Sequence, residues 1–285
     1  MRKSLKIADI YLDFTYCYND YFGDKITAYE FKDESITYQK LVVRVEAEIH
    51  LPDRPITLKH ENRVKQENEF DTYIAVFVKE EIKYLIYYKN DFSLIEITLN
   101  QKIGDRLAEY EYVLSGMVFF DLAAQKNYLS LHASAITLDR FTWLFSGPST
   151  VGKSTQTNHF LEAYPRSVVI NEDKPLLYEL NNRFYVTGTP WSGKDVINAN
   201  MEKPLDYIFF LRKSNILQVN ELSLKEKITH IFKNIHRPSE EALLDNTASI
   251  VDKLIDRVKI YEFENINDQS SANFIKEFME ENHEN

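Results

Sequence analysis

The sequence predicts a mixed α/β protein whose first third is built of strands. Three observations carry that reading. From Ile7 to about Leu99, apolar stretches rich in β-branched and aromatic residues alternate with polar breaks. From Arg106 the apolar period lengthens to that of a helix, and further on strand-like and helix-like segments take turns.

The first region contains LVVRVEAEI, YIAVFV, KYLIYYKN and SLIEITL, with DESI, LPDRP and KHENRVKQENE as the polar breaks between strands. Between Arg106 and about Gln125, residues Leu107, Tyr110, Leu114, Met117, Val118 and Leu122 fall near helical spacing and predict a buried helix. LSLHASAITL and FTWLF then read as adjacent strands around the turn Asp139-Arg140. A glycine-bearing loop follows, then a helix through Leu161, and SVVIN, RFYVTG and LDYIFFL as further strands. SLKEKITHIFKNI and EEALLDNTASIVDKLIDRV predict helices, KIYEFEN a strand and SANFIKEFMEE a closing helix. A boundary near residue 104 divides a β-rich N-terminal region, 1–104, from an α/β core, 105–285. The N-terminal strands either stand alone or pack onto that core.

Composition narrows the function classes. A chain of 285 residues with 44% hydrophobic residues can bury a substantial core. Tyr and Phe at 18 each, against 7 Gly and 8 Pro, argue for a compact body with few linkers. The formal charge of -10 disfavours nucleic acid and anionic membrane as partners, since both are polyanions. The single Cys17 excludes an internal disulfide framework and a cysteine-rich zinc site, and fits a reducing cytosol. No apolar run approaches the roughly 20 residues that span a bilayer, and the N-terminus MRKSLKIADIYLDF lacks a signal-peptide core. The expectation is a soluble, cytoplasmic protein.

The mid-chain stretch GPSTVGKST, Gly147 to Thr155, has the Gly-x-x-x-x-Gly-Lys-Ser spacing of a phosphate-cradling loop, set between a strand and a helix. Gly147 and Gly152 let the backbone turn tightly and approach phosphate oxygens. The intervening Ser149, Thr150 and Val151, with Ser154 and Thr155, present successive N–H groups and a helix N-terminus to the anion. Lys153 would reach the terminal phosphates, and the Ser154 hydroxyl would serve Mg²⁺. Nucleotide binding is the expectation. A polar strand-to-helix turn is the plain alternative.

Phosphoryl transfer also requires a metal-holding carboxylate and, for a hydroxyl acceptor, a base. Glu172 and Asp173 end the strand SVVIN, one strand after the loop, and in a parallel sheet that end lies beside the loop. One acid would hold Mg²⁺ and its neighbour would take the acceptor proton. Without the loop they would read as a solvated turn. His132, in LHASA, fits either a packed core histidine or a contact to phosphate or the incoming hydroxyl. GTPWSGK, Gly188 to Lys194, carries turn residues around an exposed-looking Trp191. There Lys194 could bind phosphate or an acidic substrate group and Gly193 would allow backbone approach; an ordinary loop anchored by Trp191 fits as well. Arg237, in IHRP, reads as a surface or capping arginine.

Taken in order, LHASAI, GPSTVGKST, INEDKP and GTPWSGK resemble the HPr kinase-related branch of the phosphoenolpyruvate carboxykinase-like fold, over about residues 105–265. The small HPr kinase-like enzymes associated with ribosomally made peptides, some of which phosphorylate a serine hydroxyl, look most similar. The resemblance implies a mixed-sheet P-loop core, ATP (or GTP) and Mg²⁺ as cofactors, and a tendency to self-associate as a homo-oligomer. It assigns Lys153 and Ser154 to phosphate and Mg²⁺, Glu172 to the catalytic base and Asp173 to the metal. His132 takes the place of the family histidine near the transferred phosphate, and Gly193 and Lys194 fall in the loop that closes over the substrate. The chain departs from the pattern at Thr150, commonly glycine, and at Glu172, usually aspartate.

The leading expectation is an ATP-dependent kinase acting on a serine or threonine hydroxyl of a peptide or small protein. A nucleotide-binding scaffold with little turnover is the alternative from another class. A carboxykinase acting on a small metabolite lacks an evident oxaloacetate-binding set. A switch GTPase lacks its Asn-Lys-x-Asp motif, and an ABC-type ATPase lacks its Leu-Ser-Gly-Gly-Gln signature, of which Leu114-Ser115-Gly116 is only a fragment.

Overall fold

The computed structural model describes residues 1–193 and 197–282. The chain packs into two units, Met1–Leu122 and Ala123–Asn285. The division falls inside helix α1 (Leu107–Gln125), not ahead of it near residue 104.

In the first unit, β1 (Arg2–Ile7), β2 (Ile10–Thr15), β3 (Gln39–Glu46), β4 (Leu58–His60), β5 (Arg63–Glu67), β6 (Asp71–Val78), β7 (Glu81–Lys89) and β8 (Leu94–Asn100) form one sheet. Their order is β1-β2-β3-β8-β7-β6-β5-β4. β3 runs parallel to both β2 and β8, and the other pairs are antiparallel. Alternation along the strands buries Leu5, Ile7, Leu12, Phe14, Leu41, Val43, Ile95 and Ile97. In α1, Leu107, Leu114, Val118 and Leu122 are buried as their spacing predicts. Glu111 on the same helix is fully buried and accepts the backbone N–H groups of Cys17 and Tyr18 at 2.6 and 2.8 Å.

The second unit holds β9 (Leu129–Ser130), β10 (Ala133–Leu138), β11 (Phe141–Ser146), α2 (Lys153–Ala163), β12 (Val168–Asn171), β13 (Leu176–Leu180), β14 (Arg183–Thr187) and β15 (Glu202–Pro204). It continues with β16 (Tyr207–Lys213), β17 (Gln218–Glu221), α3 (Leu224–Asn234), α4 (Ala242–Arg257), β18 (Lys259–Asn265) and α5 (Ser270–Glu281). Its main sheet has the order β12-β10-β11-β16-β18-β17, and a smaller one the order β15-β14-β13-β9. The main sheet is mixed: β11, β16 and β18 are parallel neighbours, whereas β10 is antiparallel to both β11 and β12.

Because successive side chains on a strand point to opposite faces, the main sheet buries both. One face carries Trp143, Phe145, Phe209 and Phe263, packed with Phe160 of α2 and Ile275 and Met279 of α5. The other carries Leu144, Ile208 and Ile260, packed with Leu177 and Val186 of the smaller sheet, Ile231 of α3 and Val251 and Leu254 of α4. Helix α3 starts on a capping box, with Ser223 and Glu226 bonded reciprocally, and Arg237 donates to the Phe232 carbonyl near its end at 3.2 Å, a capping contact. Among the described residues, no helix is long and apolar enough to cross a membrane.

Three local expectations are corrected. KHENRVKQENE is not a simple break: it contains the β4–β5 hairpin. All three β4 residues are exposed, so the strand carries no alternation to read. LSLHASAITL is not one strand, since β9 and β10 belong to different sheets and the chain crosses between them at Leu131–His132. SVVIN does not lie beside the loop-bearing strand, because β10 stands between β12 and β11.

Candidate phosphate-binding cleft

The insertion of β10 brings the sequence motifs together. Ala133, at its start, pairs with Ser146 at the carboxyl end of β11, and Ala135 pairs with Asn171 at the carboxyl end of β12. The residue before β10 and the residues after β11 and β12 therefore emerge at one edge of the sheet. They are His132, the loop from Gly147, and Glu172-Asp173. His132, Ser149, Thr150, Gly152, Lys153, Ser154, Thr155, Glu172, Asp173 and Gly193, with Ser192, line one cleft of about 500 Å³.

The loop is strand–turn–helix, with three residues at positive φ. Gly147 and Gly152 have φ of 141° and 113°, which glycine adopts without strain. Thr150 has a φ of 68°, a left-handed conformation that a β-branched residue adopts at a cost. The glycine-to-threonine departure thus leaves the turn in the glycine-like conformation. Gly147 and Val151 do not line the cleft: Gly147 is buried at the strand end, and Val151 packs against the aromatic face of the core. Lys153 is 8% exposed, and its ammonium donates to the carbonyls of Gly147 and Pro148 at 2.9 and 3.3 Å. Burial pulls its pKa below the usual lysine range, against an opposing pull from Asp173. Ser154 is exposed at the first turn of α2. The buried Gln156 braces that helix, donating to Asn265 Oδ1 at 3.0 Å and the Ile266 carbonyl at 2.9 Å.

Opposite the loop stands the acid turn. Asp173 Oδ1 lies 3.2 Å from His132 Nε2. Burial would raise the Asp173 pKa, but the His132 hydrogen bond and the charges of Lys174, His132 and Lys153 outweigh it, so the carboxyl sits below its ordinary value. It is an ionised group facing a cation-bearing loop. The backbone is held as well: Ala133 N–H donates to the Asp173 carbonyl at 3.0 Å, and the Ser134 hydroxyl to the Glu172 carbonyl at 3.1 Å. His132 is fixed by its N–H to the Asn234 carbonyl at 2.8 Å and by the Ser146 hydroxyl on its own carbonyl at 3.0 Å. It is a cleft residue, not a packed core histidine.

The GTPWSGK loop reaches the same cleft through Ser192 and Gly193. Trp191 is not exposed: at 2% it is an anchor buried beneath the loop. Lys194 lies outside the described residues. The sequence reading missed Asn171, Thr189, Ser134 and Ser146, the buried polar residues that support the cleft; only the small residues of LHASA and the polar flank of INEDKP pointed toward them.

The donor set suits a hard cation. A serine hydroxyl and an ionised carboxylate match Mg²⁺, which takes oxygen ligands, keeps several waters and relies on substrate phosphates for the rest. Among the described residues, no group of three or more His, Cys, Asp or Glu could hold a metal ion.

No known family model matches the sequence, and no curated protein matches it. Among solved structures, the Hpr(Ser) kinase/phosphatase from Coxiella burnetii matches with a TM-score of 0.26 and 13% identity, over 45% of this chain and 97% of that one. A superposition this loose carries no weight for function, which rests on the cleft's own residues.

Proposed function

We propose that the protein is an ATP-dependent, Mg²⁺-requiring kinase acting on a serine or threonine hydroxyl of a peptide or small protein. One observation carries the proposal: a glycine loop with a buried lysine, an acidic pair and a histidine, from three separate stretches of chain, line a single cleft.

The loop amides and the α2 N-terminus receive the phosphates, and Lys153 turns from its own loop carbonyls to the terminal phosphate oxygens. Ser154 and Asp173 hold Mg²⁺. Bound Mg·ATP supplies the phosphoryl group and the metal charge that neutralises it in transfer. Glu172 would accept the proton of the attacking hydroxyl as its oxygen bonds to the γ-phosphorus and the bond from that phosphorus to the bridging oxygen breaks, with ADP leaving. His132, oriented by Asp173, contacts the transferring phosphate. Gly193 leaves room for the acceptor backbone to approach.

The test is transfer from Mg·ATP, and in parallel Mg·GTP, to a pooled library of Ser- and Thr-containing peptides, read by mass spectrometry. Phosphopeptides should appear, and Lys153→Ala should reduce them by about 10²–10³-fold, the usual effect of removing one preorganised charge-stabilising donor. Undiminished transfer by Lys153→Ala would refute the site assignment. Tight nucleotide binding with no transfer to any acceptor would favour a nucleotide-binding scaffold instead.

A further inference from the structure

Asn171 ends β12 and is fully buried, and its side chain uses both of its ends. Its Oδ1 accepts the backbone N–H groups of Asp173 and Lys174 at 2.9 and 2.7 Å, which folds the acidic pair into a tight turn. Its Nδ2 donates to the carbonyl of Thr189 at 3.0 Å, on the loop that carries Gly193. The buried Thr189 returns the contact, its hydroxyl donating to the Lys174 carbonyl at 3.1 Å. Asn198 closes the other flank of that loop, donating to the same Thr189 carbonyl at 3.2 Å and lying in a bridge with Asn171.

We infer that Asn171 is a positioning residue that holds the Glu172-Asp173 turn and the Gly188–Gly193 loop in one fixed relation, so that acids and acceptor loop meet the phosphate loop as a unit. An amide places an acceptor and a donor on separate atoms of one short side chain. Aspartate could not donate to Thr189, and serine could not reach both partners. None of these bonds touches the phosphate loop, so the arrangement governs the acids and the acceptor loop and reaches the nucleotide only through the Mg²⁺ ligand Asp173. The inference rests on the kinase reading for its consequence in catalysis, but the hydrogen bonds can be tested without it.

The experiment compares Asn171→Ala and Thr189→Val with the unsubstituted protein by affinity for metal-free ATP, kcat for peptide phosphorylation, and amide hydrogen exchange. Asn171→Ala should bind metal-free ATP, which reports on the phosphate loop alone, within about threefold of the parent while kcat falls on the order of 30-fold, as expected for small misplacement of reacting groups. The amides of Asp173 and Lys174 should exchange roughly tenfold faster, with those of the phosphate loop unchanged. Thr189→Val, which keeps the shape and removes the hydroxyl that contacts Lys174, Asn171 and Trp191, should show a smaller loss of the same kind and carries the test if Asn171→Ala fails to fold. Unchanged kcat and exchange in both variants would overturn the inference, as would an equal loss of nucleotide affinity and kcat. If the parent protein phosphorylates nothing, the kinase reading fails separately. Accelerated exchange at Asp173 and Lys174 would then still uphold the role of Asn171, and unchanged exchange would overturn it.

Discussion

Gly193 backs directly onto Asp173: a Cβ built on the glycine would lie 3.3 Å from the Asp173 Cβ. The backbone there has a φ of 89°, which L side chains rarely adopt. Gly193→Ala therefore meets two costs at one atom. Stability should fall by about 1–2 kcal/mol from the backbone term alone. The added methyl should also push Asp173 away from His132 and reduce the proposed peptide phosphorylation by about tenfold, because small displacements of reacting groups are costly. Thermal unfolding and kcat of the variant check the two effects. Parent-like values for both would show that the loop does not press on the acid.

Thr150 offers the opposite experiment. Its φ of 68° suits glycine and penalises threonine. Thr150→Gly relieves about 1–2 kcal/mol of backbone strain and gives back about 0.5–1 kcal/mol through the freer unfolded chain. The net should be a gain of about 0.5–1 kcal/mol, or roughly 1–4 °C in Tm for a protein of this size. Differential scanning calorimetry decides it. A lower Tm would mean that the threonine side chain supports the turn more than its backbone strains it.

Asp173 should leave a mark on the acid limb of stability. Its folded pKa lies below its ordinary value. The folded state therefore holds the proton less tightly than the unfolded chain, whose carboxyl titrates near about 3.9. The stabilisation is present in full above that unfolded value and is lost as pH falls through the lower folded one. Asp173→Asn should flatten the fall in stability as pH drops through and below about 3.9. Urea unfolding at a series of pH values provides the comparison, and an unchanged acid limb would count against the His132–Asp173 contact.

Much of this site was legible because its chemistry sits on strong local patterns. The apolar FTWLF and the glycine spacing specify a strand and a turn that leads into a helix. The acids were visible as charges at a strand end. The support beneath them was not, because Asn171 and Thr189 acquire their roles only when two loops meet. Trp191 looked exposed among glycine, proline and serine, yet burial is set by the chain packed over it, which local composition does not describe. The break at His132 was hidden for a related reason. LSLHASAITL is uniformly strand-like, and the interruption is enforced by Asn234, about a hundred residues later, which takes the His132 N–H. The β4–β5 hairpin escaped because β4 is exposed throughout and β5 buries one apolar residue, Val64, beside the polar Gln66, which leaves no apolar alternation to read.

The placement of β10 also bears on how the cleft comes into being. An antiparallel neighbour can be reached by a tight hairpin, whereas a parallel one needs a long crossover. β10 and β11 are joined by the two-residue turn Asp139-Arg140, and β12 returns after a single helix. Every group assigned here to the chemistry lies between His132 and Gly193, and because closure entropy grows slowly with loop length, the loops their contacts close cost moderate entropy. During synthesis this stretch leaves the ribosome before β16 and β18 exist. The later strands then act as a buttress, with Asn265 of β18 receiving Gln156 and steadying the helix beneath the phosphate loop. The reactive groups are thus written in one uninterrupted passage of the chain, and the remainder of the unit braces it.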